Sequence, residues 1–361
     1  MERLYLDWNA TTPLRPEAKA AMIAAMEVSG NPSSVHAEGR AANALIERAR
    51  GQIAAALGAE GADIIFTSGA TEASALALAG RGIACAPVEH DAVSAWCDAA
   101  LPVDGFGRVR VADPARATLQ LANSETGVIQ ALPEGLWASD LTQGFGKLPI
   151  AFNWMGVTCG IVSAHKLGGP KGIGALIVKR GTEIAAQLRG GGQEMGRRAG
   201  TENLIGIAGF GAAAEAAARD LAAGVWGEVA EVRDILKNAL EYPTKEVYFP
   251  GWEMPEGATD GARATGEPPA ILPNTLSVIS PGWKGETQVM RLDLMGHAVS
   301  AGSACSSGKV RASKVLAAMG WSEADAGCAL RISIGPGVTR EDVLRFAEAF
   351  RSAHEKHRAR H

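Results

Sequence analysis

The chain has 361 residues, 47% of them hydrophobic and 20% charged, with a formal net charge of −4. That length exceeds one small core and fits about two domains. The charge balance leaves no electrostatic footprint for nucleic acid or an anionic membrane surface, and no apolar run reaches spanning length.

In chain order, residues 16–28 read as a helix, with Pro16 and Glu17 suited to its first turn. A turn at Asn31-Pro32-Ser33-Ser34 leads into a longer helix over 36–57, stopped by Gly58. A short strand at 63–67 and a helix at 71–78 follow. Strand-like runs recur at 118–122, 148–152, 160–163 and 175–178, and helical runs at 204–222, 227–240 and 340–353. This alternation predicts an α/β protein with a mostly parallel or mixed sheet. The stretch 250–273, rich in Gly, Pro, Ala and acids, reads as a long exposed loop where a large domain gives way to a smaller one. The basic run 356–361 reads as a solvated tail after the last helix.

The N-terminal run Met1-Glu2-Arg3-Leu4-Tyr5-Leu6-Asp7 has no apolar leader segment. The five cysteines, Cys85, Cys97, Cys159, Cys305 and Cys328, are odd in number and form no C-x-x-C pair. They argue for a reducing, cytoplasmic setting and against a disulfide framework or a zinc site, so no metal is expected.

Ser163-Ala164-His165-Lys166 follows the apolar run Gly160-Ile161-Val162 and precedes a Gly/Pro loop. A lysine there can lose solvent and lower its pKa, as a Schiff-base nucleophile requires. The ordinary fate of a lysine is a solubilising charge, and Lys171 competes from deeper in the loop. Asp140 and Gln143 stand upstream. A carboxylate that keeps a pyridine nitrogen protonated and an amide that donates to a ring oxygen are parts of pyridoxal phosphate chemistry. Their plain alternative is a loop acid and a helix-start polar residue.

Ser68-Gly69-Ala70-Thr71-Glu72 follows a strand and opens a helix, which suits a phosphate group or, equally, an ordinary helix cap. His90 follows the apolar run 82–86 and can stack on an aromatic cofactor or lie in a loop. Cys305 sits among small residues in Gly302-Ser303-Ala304-Cys305-Ser306-Ser307-Gly308, where a thiolate has room to move. Arg331 lies inside an apolar strand-like run and is either half of an ion pair or a clamp for a substrate carboxylate.

Together these motifs resemble the cysteine desulfurases of the class V, fold-type I pyridoxal phosphate enzymes. The resemblance covers nearly the whole chain. It includes Tyr5-Leu6-Asp7-Trp8-Asn9-Ala10-Thr11-Thr12-Pro13, Asn123-Ser124-Glu125-Thr126-Gly127, residues 163–174 and 190–203, Leu272-Pro273-Asn274-Thr275-Leu276, and residues 300–308 and 330–335. The Cys305 loop is similar to that of the long-loop subgroup, which serves nitrogenase and housekeeping iron–sulfur assembly.

The resemblance implies a large domain over 13–250 with a mixed, mostly parallel seven-stranded sheet. It implies a smaller α/β domain from 1–12 and 251–361. Lys166 is then the Schiff-base lysine, and His90 stacks on the ring and assists proton transfer. Ala70, Thr71, Ser163 and His165 hold the phosphate, while Ser124, Asp140 and Gln143 contact the ring. Thr201 reaches the phosphate of a neighbouring subunit, which implies a homodimer. Arg331 binds the carboxylate of L-cysteine with help from Asn9. The Cys305 thiolate takes the sulfur as a persulfide and passes it to an acceptor or scaffold protein.

Four departures stand out. Ser124 replaces the family's second asparagine, and Met195 replaces an arginine. Thr158 stands where an acid is usual, and the segment 127–140 is short. Another class V lyase or aminotransferase, such as a selenocysteine lyase, and a degenerate scaffold protein are the alternatives.

Overall fold

A computed structural model of the protein describes residues 3–241, 246–255, 266–302 and 312–359. Cys305 therefore lies outside the described residues.

The first half of the chain contains β1 (Leu4–Tyr5), α1 (Pro16–Met26), α2 (Ala37–Leu57), β2 (Asp63–Thr67), α3 (Ala70–Leu78), β3 (Ala84–Cys85), α4 (Asp91–Ser94), β4 (Asp98–Ala99), β5 (Leu136–Asp140), β6 (Val157–Ser163) and β7 (Gly174–Val178). The second half contains α5 (Leu204–Ala222), α6 (Val225–Glu241), β8 (Thr275–Ile279), α7 (Gly285–Leu294), β9 (His297–Ala298), β10 (Ser300–Ala301), α8 (Lys314–Ala318), α9 (Glu323–Ala326), β11 (Ala329–Ser333) and α10 (Arg340–Arg358).

The central sheet runs in the order β2-β7-β6-β5. Single bridges extend it, Thr118 to Ala138 and Ala84 to Ala117, and β3 then pairs with β4. The result is the expected mixed, mostly parallel sheet, in which β7 alone runs against its neighbours, with residues 118–122 contributing single bridges rather than the full strand expected there. Side chains alternate across it. Phe66, Val162, Ala175 and Ile177 face one core together with Ile53 of α2 and Phe210 of α5. Ile65, Ile161, Leu176 and Val178 face a second core with Ala73 and Leu76 of α3. Burial on both faces explains why these strands read as unbroken apolar runs.

A separate core gathers Leu4, Leu6, Leu276, Val278, Leu330, Ile332, Phe346 and Phe350 around the antiparallel order β10-β11-β8. Trp226 and Leu236 of α6, with Val247 and Phe249, also belong to it. Their apolar faces are buried against α10 and β8.

Three other expectations change. Residues 148–152 form no strand. Pro149 lacks the N–H a central ladder needs, and Leu148 and Ile150 pack as a connection against the first core. The ends of the 250–273 stretch are ordered: Leu272 is fully buried, its N–H donates to Gly127 (2.8 Å), and Ile271 bridges Val128. Residues 256–265 of that stretch lie outside the described residues. The basic tail begins inside α10, whose last turn carries Lys356, His357 and Arg358, where cations complement the helix C-terminus.

Candidate active site

The predicted strand-to-lysine geometry begins at the end of β6. After Ser163 the chain makes a tight turn over Ala164–Lys166, and β7 returns alongside. The N-terminal segment clamps this turn: Thr12 N–H donates to His165 O (2.9 Å), Thr12 Oγ1 to Lys166 O (2.8 Å) and Arg15 Nε to Leu167 O (2.8 Å). Lys166 Nζ donates to the backbone carbonyls of Asn9 and Ala10, at 2.5 and 2.9 Å.

At the C-terminal end of β2, on the same edge of the sheet as Ser163, Gly69 caps α3 with a backbone conformation (φ +157°, ψ −178°) that favours glycine. Ala73 N–H makes the first helical bond, to Gly69 O (3.1 Å), so the earlier amides of Ala70 and Thr71 are available to an anion. A Cβ on Gly174 would sit 2.7 Å from Gly69 Cα, so glycine there lets β7 run beside this turn. A Cβ on Gly69 would project to 3.9 Å from Ser163 Oγ, into space an anion could use.

These pieces converge on one cavity of about 610 Å³, within the usual range for small-molecule sites. Its lining includes Ala70, Thr71, His90, Ser124, Asp140, Gln143, Ser163, His165, Lys166 and Arg331. All the expected site residues among those described meet there except Thr201. That residue is exposed and outside the cavity of its own chain.

Each side chain is set by its element. Asp140 ends β5 and accepts from Thr142 N–H (2.9 Å). His90 caps α4, its Nδ1 accepting from Ala92 N–H (3.1 Å), which leaves Nε2 as the protonated nitrogen of the neutral ring. Burial and the neighbouring charges of Lys166, Lys171 and Lys147 push the pKa of His165 down to about 4, so its imidazole is neutral at physiological pH. Arg331 on β11 is buried; Nη2 pairs with Asp7 Oδ1 (2.8 Å) and Nη1 donates to Ser124 O (3.1 Å). Its Nε is buried without a partner among the described residues.

Asn9 behaves differently from the expectation. Its side chain is fully buried and committed to protein: Nδ2 donates to Thr275 Oγ1 (2.8 Å) and Ser124 O (3.2 Å), and Oδ1 accepts from Asn274 and Lys147. Its backbone carbonyl, not its amide, meets Lys166.

Sequence reasoning missed two groups. Lys147 is buried beneath Gln143, although nothing but its place in a Gly-rich turn distinguishes it in the sequence. Glu89, next to His90, is fully buried; its Oε1 accepts from Gln120 N–H (2.6 Å), while Oε2 has no partner among the described residues. Burial, with Asp140 and Cys85 nearby, drives its carboxyl pKa well above the usual value.

The aminotransferase class-V family profile matches residues 4–101 and 112–255. The chain belongs to the class V aminotransferase family. Within it the chain is 38% identical to a cysteine desulfurase of Cereibacter sphaeroides, over 96% of this chain and 95% of that one. Among solved structures, the class V fold here is similar to a NifS-like protein from Rickettsia africae, with a TM-score of 0.83 and 30% identity over 98% of this chain and all of that one. It is also similar to a structure of SspA in complex with cysteine, with a TM-score of 0.70 and 27% identity, covering 92% and 99% of the two chains. These relatives place the chain with the cysteine desulfurases of the class V family. Among the described residues, no helix is long and apolar enough to cross a membrane.

Proposed function

We propose that this enzyme is a pyridoxal phosphate-dependent L-cysteine desulfurase that releases L-alanine and keeps the sulfur as a persulfide on Cys305. The observation that carries this reading is the convergence of Lys166, Asp140, Gln143, the first amides of α3 and Arg331 on one cavity. The donor set fits the cofactor: an amine for its aldehyde, an acid for its ring nitrogen, and amides with hydroxyls for its phosphate. When bound, pyridoxal phosphate supplies an electron sink that weakens bonds at the carbon bearing the substrate amine and at the neighbouring Cβ.

The chain's own groups do the rest. The Ala70 and Thr71 amides, with the Thr71 and Ser163 hydroxyls and neutral His165, hold the phosphate. Asp140 would accept from the ring nitrogen, Gln143 would donate to the ring oxygen, Ser124 would contact the ring, and His90 would stack on it and move protons. Arg331 takes the substrate carboxylate on its unpartnered Nε edge. Thr201, exposed on its own subunit, completes the site of a second copy in a homodimer. The Cys305 thiolate forms an S–S bond to the substrate sulfur as the Cβ–S bond breaks. The electron pair of that bond stays on the substrate, and a proton at Cβ completes alanine. The persulfide then passes to a thiol-bearing acceptor or scaffold protein in a reducing cytoplasm.

The test is mass spectrometry of the purified protein after L-cysteine, with alanine quantified. One or more added sulfurs on Cys305 with matching alanine supports the reading. Alanine at full rate from a Cys305→Ala variant would instead mark a lyase that releases sulfur directly.

A further inference from the structure

Lys147 is a lysine without an acid. It is 2% exposed, no carboxylate lies within ion-pair distance among the described residues, and it does not line the cavity. Its Nζ donates to Gln143 Oε1 (2.9 Å) and Asn9 Oδ1 (3.3 Å). Phe145 N–H to Leu141 O (2.8 Å) and Leu148 N–H to Gly144 O (2.9 Å) wind the turn that brings positions 143 and 147 together. Gly144 lets the turn sink inward, because a Cβ there would meet Leu121 Cδ2 at 2.5 Å.

The contacts fix which way the Gln143 amide points. A backbone carbonyl can only accept, so the atom facing Asn9 O is the amide nitrogen and the atom beside Lys147 is the amide oxygen, whichever protonation state Lys147 holds. The nitrogen donates to the Asn9 carbonyl (3.0 Å), which also receives Lys166. The Lys147 contact fits the same orientation, so the amide is determined rather than assigned by convention. Asn9 Oδ1 is pinned likewise, by Lys147 and Asn274.

We propose that Lys147 is a positioning residue that holds the oxygens of Gln143 and Asn9 away from the cavity, so that Gln143 presents its N–H to the cofactor and the Asn9 carbonyl is left to steer Lys166. This rests on the pyridoxal phosphate reading above. Burial and the charges of Lys166 and Arg331 lower the Lys147 pKa well below its usual value. The role survives deprotonation, because a neutral amine has two N–H donors for the two acceptors present.

The experiment compares holoenzymes of wild type, Lys147→Met, Lys147→Gln, Gln143→Ala and the Lys147→Met/Gln143→Ala double variant. Two quantities are read for each: pyridoxal phosphate affinity, and the pH midpoint of the visible band of the lysine-linked cofactor. Lys147→Met should weaken affinity about tenfold, the worth of one misplaced buried hydrogen bond. It should also raise the midpoint by about half a unit, because a lost donor disfavours the more negative form. Lys147→Gln keeps a donor and should recover part of both effects, which separates positioning from a folding defect. In the Gln143→Ala background, Lys147→Met should add little. Additive effects, or a Lys147→Met protein with wild-type affinity and midpoint, overturn the inference alone. A wild-type protein that takes up no pyridoxal phosphate overturns both this and the proposed function.

Discussion

Arg331 Nη2 lies 2.8 Å from Asp7 Oδ1, so the guanidinium assigned to the substrate carboxylate is already partly engaged by the chain's own acid. The pair joins β11 to the N-terminal segment that also clamps the Lys166 turn.

Asp7→Asn should therefore lower unfolding free energy by about 1–3 kcal/mol, since it keeps an acceptor but removes the counter-charge of a buried guanidinium. L-Alanine offers a replacement carboxylate and should stabilise Asp7→Asn more than wild type. Urea unfolding with and without L-alanine checks both. Equal stability of the two proteins would remove the ion pair from the account.

Lys166→Ala should abolish the visible absorbance of the bound cofactor at roughly 410–430 nm, where Schiff bases of pyridoxal phosphate absorb. Persistence of the band would move the linkage to Lys171, which lines the same cavity.

Glu194 replaces a simple turn with a buried anchor. Its carboxylate receives Arg50 through Nη1 and Nη2 (3.1 and 3.2 Å) and Phe66 N–H (3.0 Å), at a side-chain exposure of 2%. Glu194→Ala should cost about 3 kcal/mol, measured by thermal or urea unfolding, because Arg50 and the β2 amide lose their acceptor. The neighbouring Met195 is exposed and held at φ +59°. Met195→Gly should be neutral or stabilising by up to about 1 kcal/mol, as the left-handed strain is relieved. A destabilised Met195→Gly would show that its side chain packs on something further.

Glu89 sets a pH dependence with a definite sign. Burial raises its folded pKa above the unfolded value, so the folded state keeps a proton that the unfolded state has released. The contribution is complete below the usual value of 4.5 and declines as pH rises above it. Glu89→Gln stays neutral at all pH and should be the more stable protein near pH 8, with the difference shrinking toward pH 5. Urea midpoints across that range decide the matter; a constant difference would mean that Glu89 does not titrate between the two states.

Local patterns decided much of this protein from sequence alone. Helix α2 stops at Gly58 because φ +60° suits glycine, and the Gly69 turn opens α3 because backbone amides must be left bare there. Asp140, Gln143, Lys166 and Arg331 were likewise legible as one candidate set, and the fold brings all four to one cavity. Tertiary structure decided the rest, wherever a residue's role depends on partners far along the chain. Nothing near Lys147 in sequence says that Asn9 will seal it from water, and nothing near Glu194 says that Arg50 will neutralise it. Residues 148–152 have strand-like composition, yet Pro149 and packing against the first core make them a connection. The family resemblance implies that Asn9 helps Arg331 bind substrate, yet its buried side chain is hydrogen-bonded to Thr275, Asn274 and Lys147. Propensity and periodicity act over a few residues. Desolvation and ion pairing are settled only when distant segments close on one another.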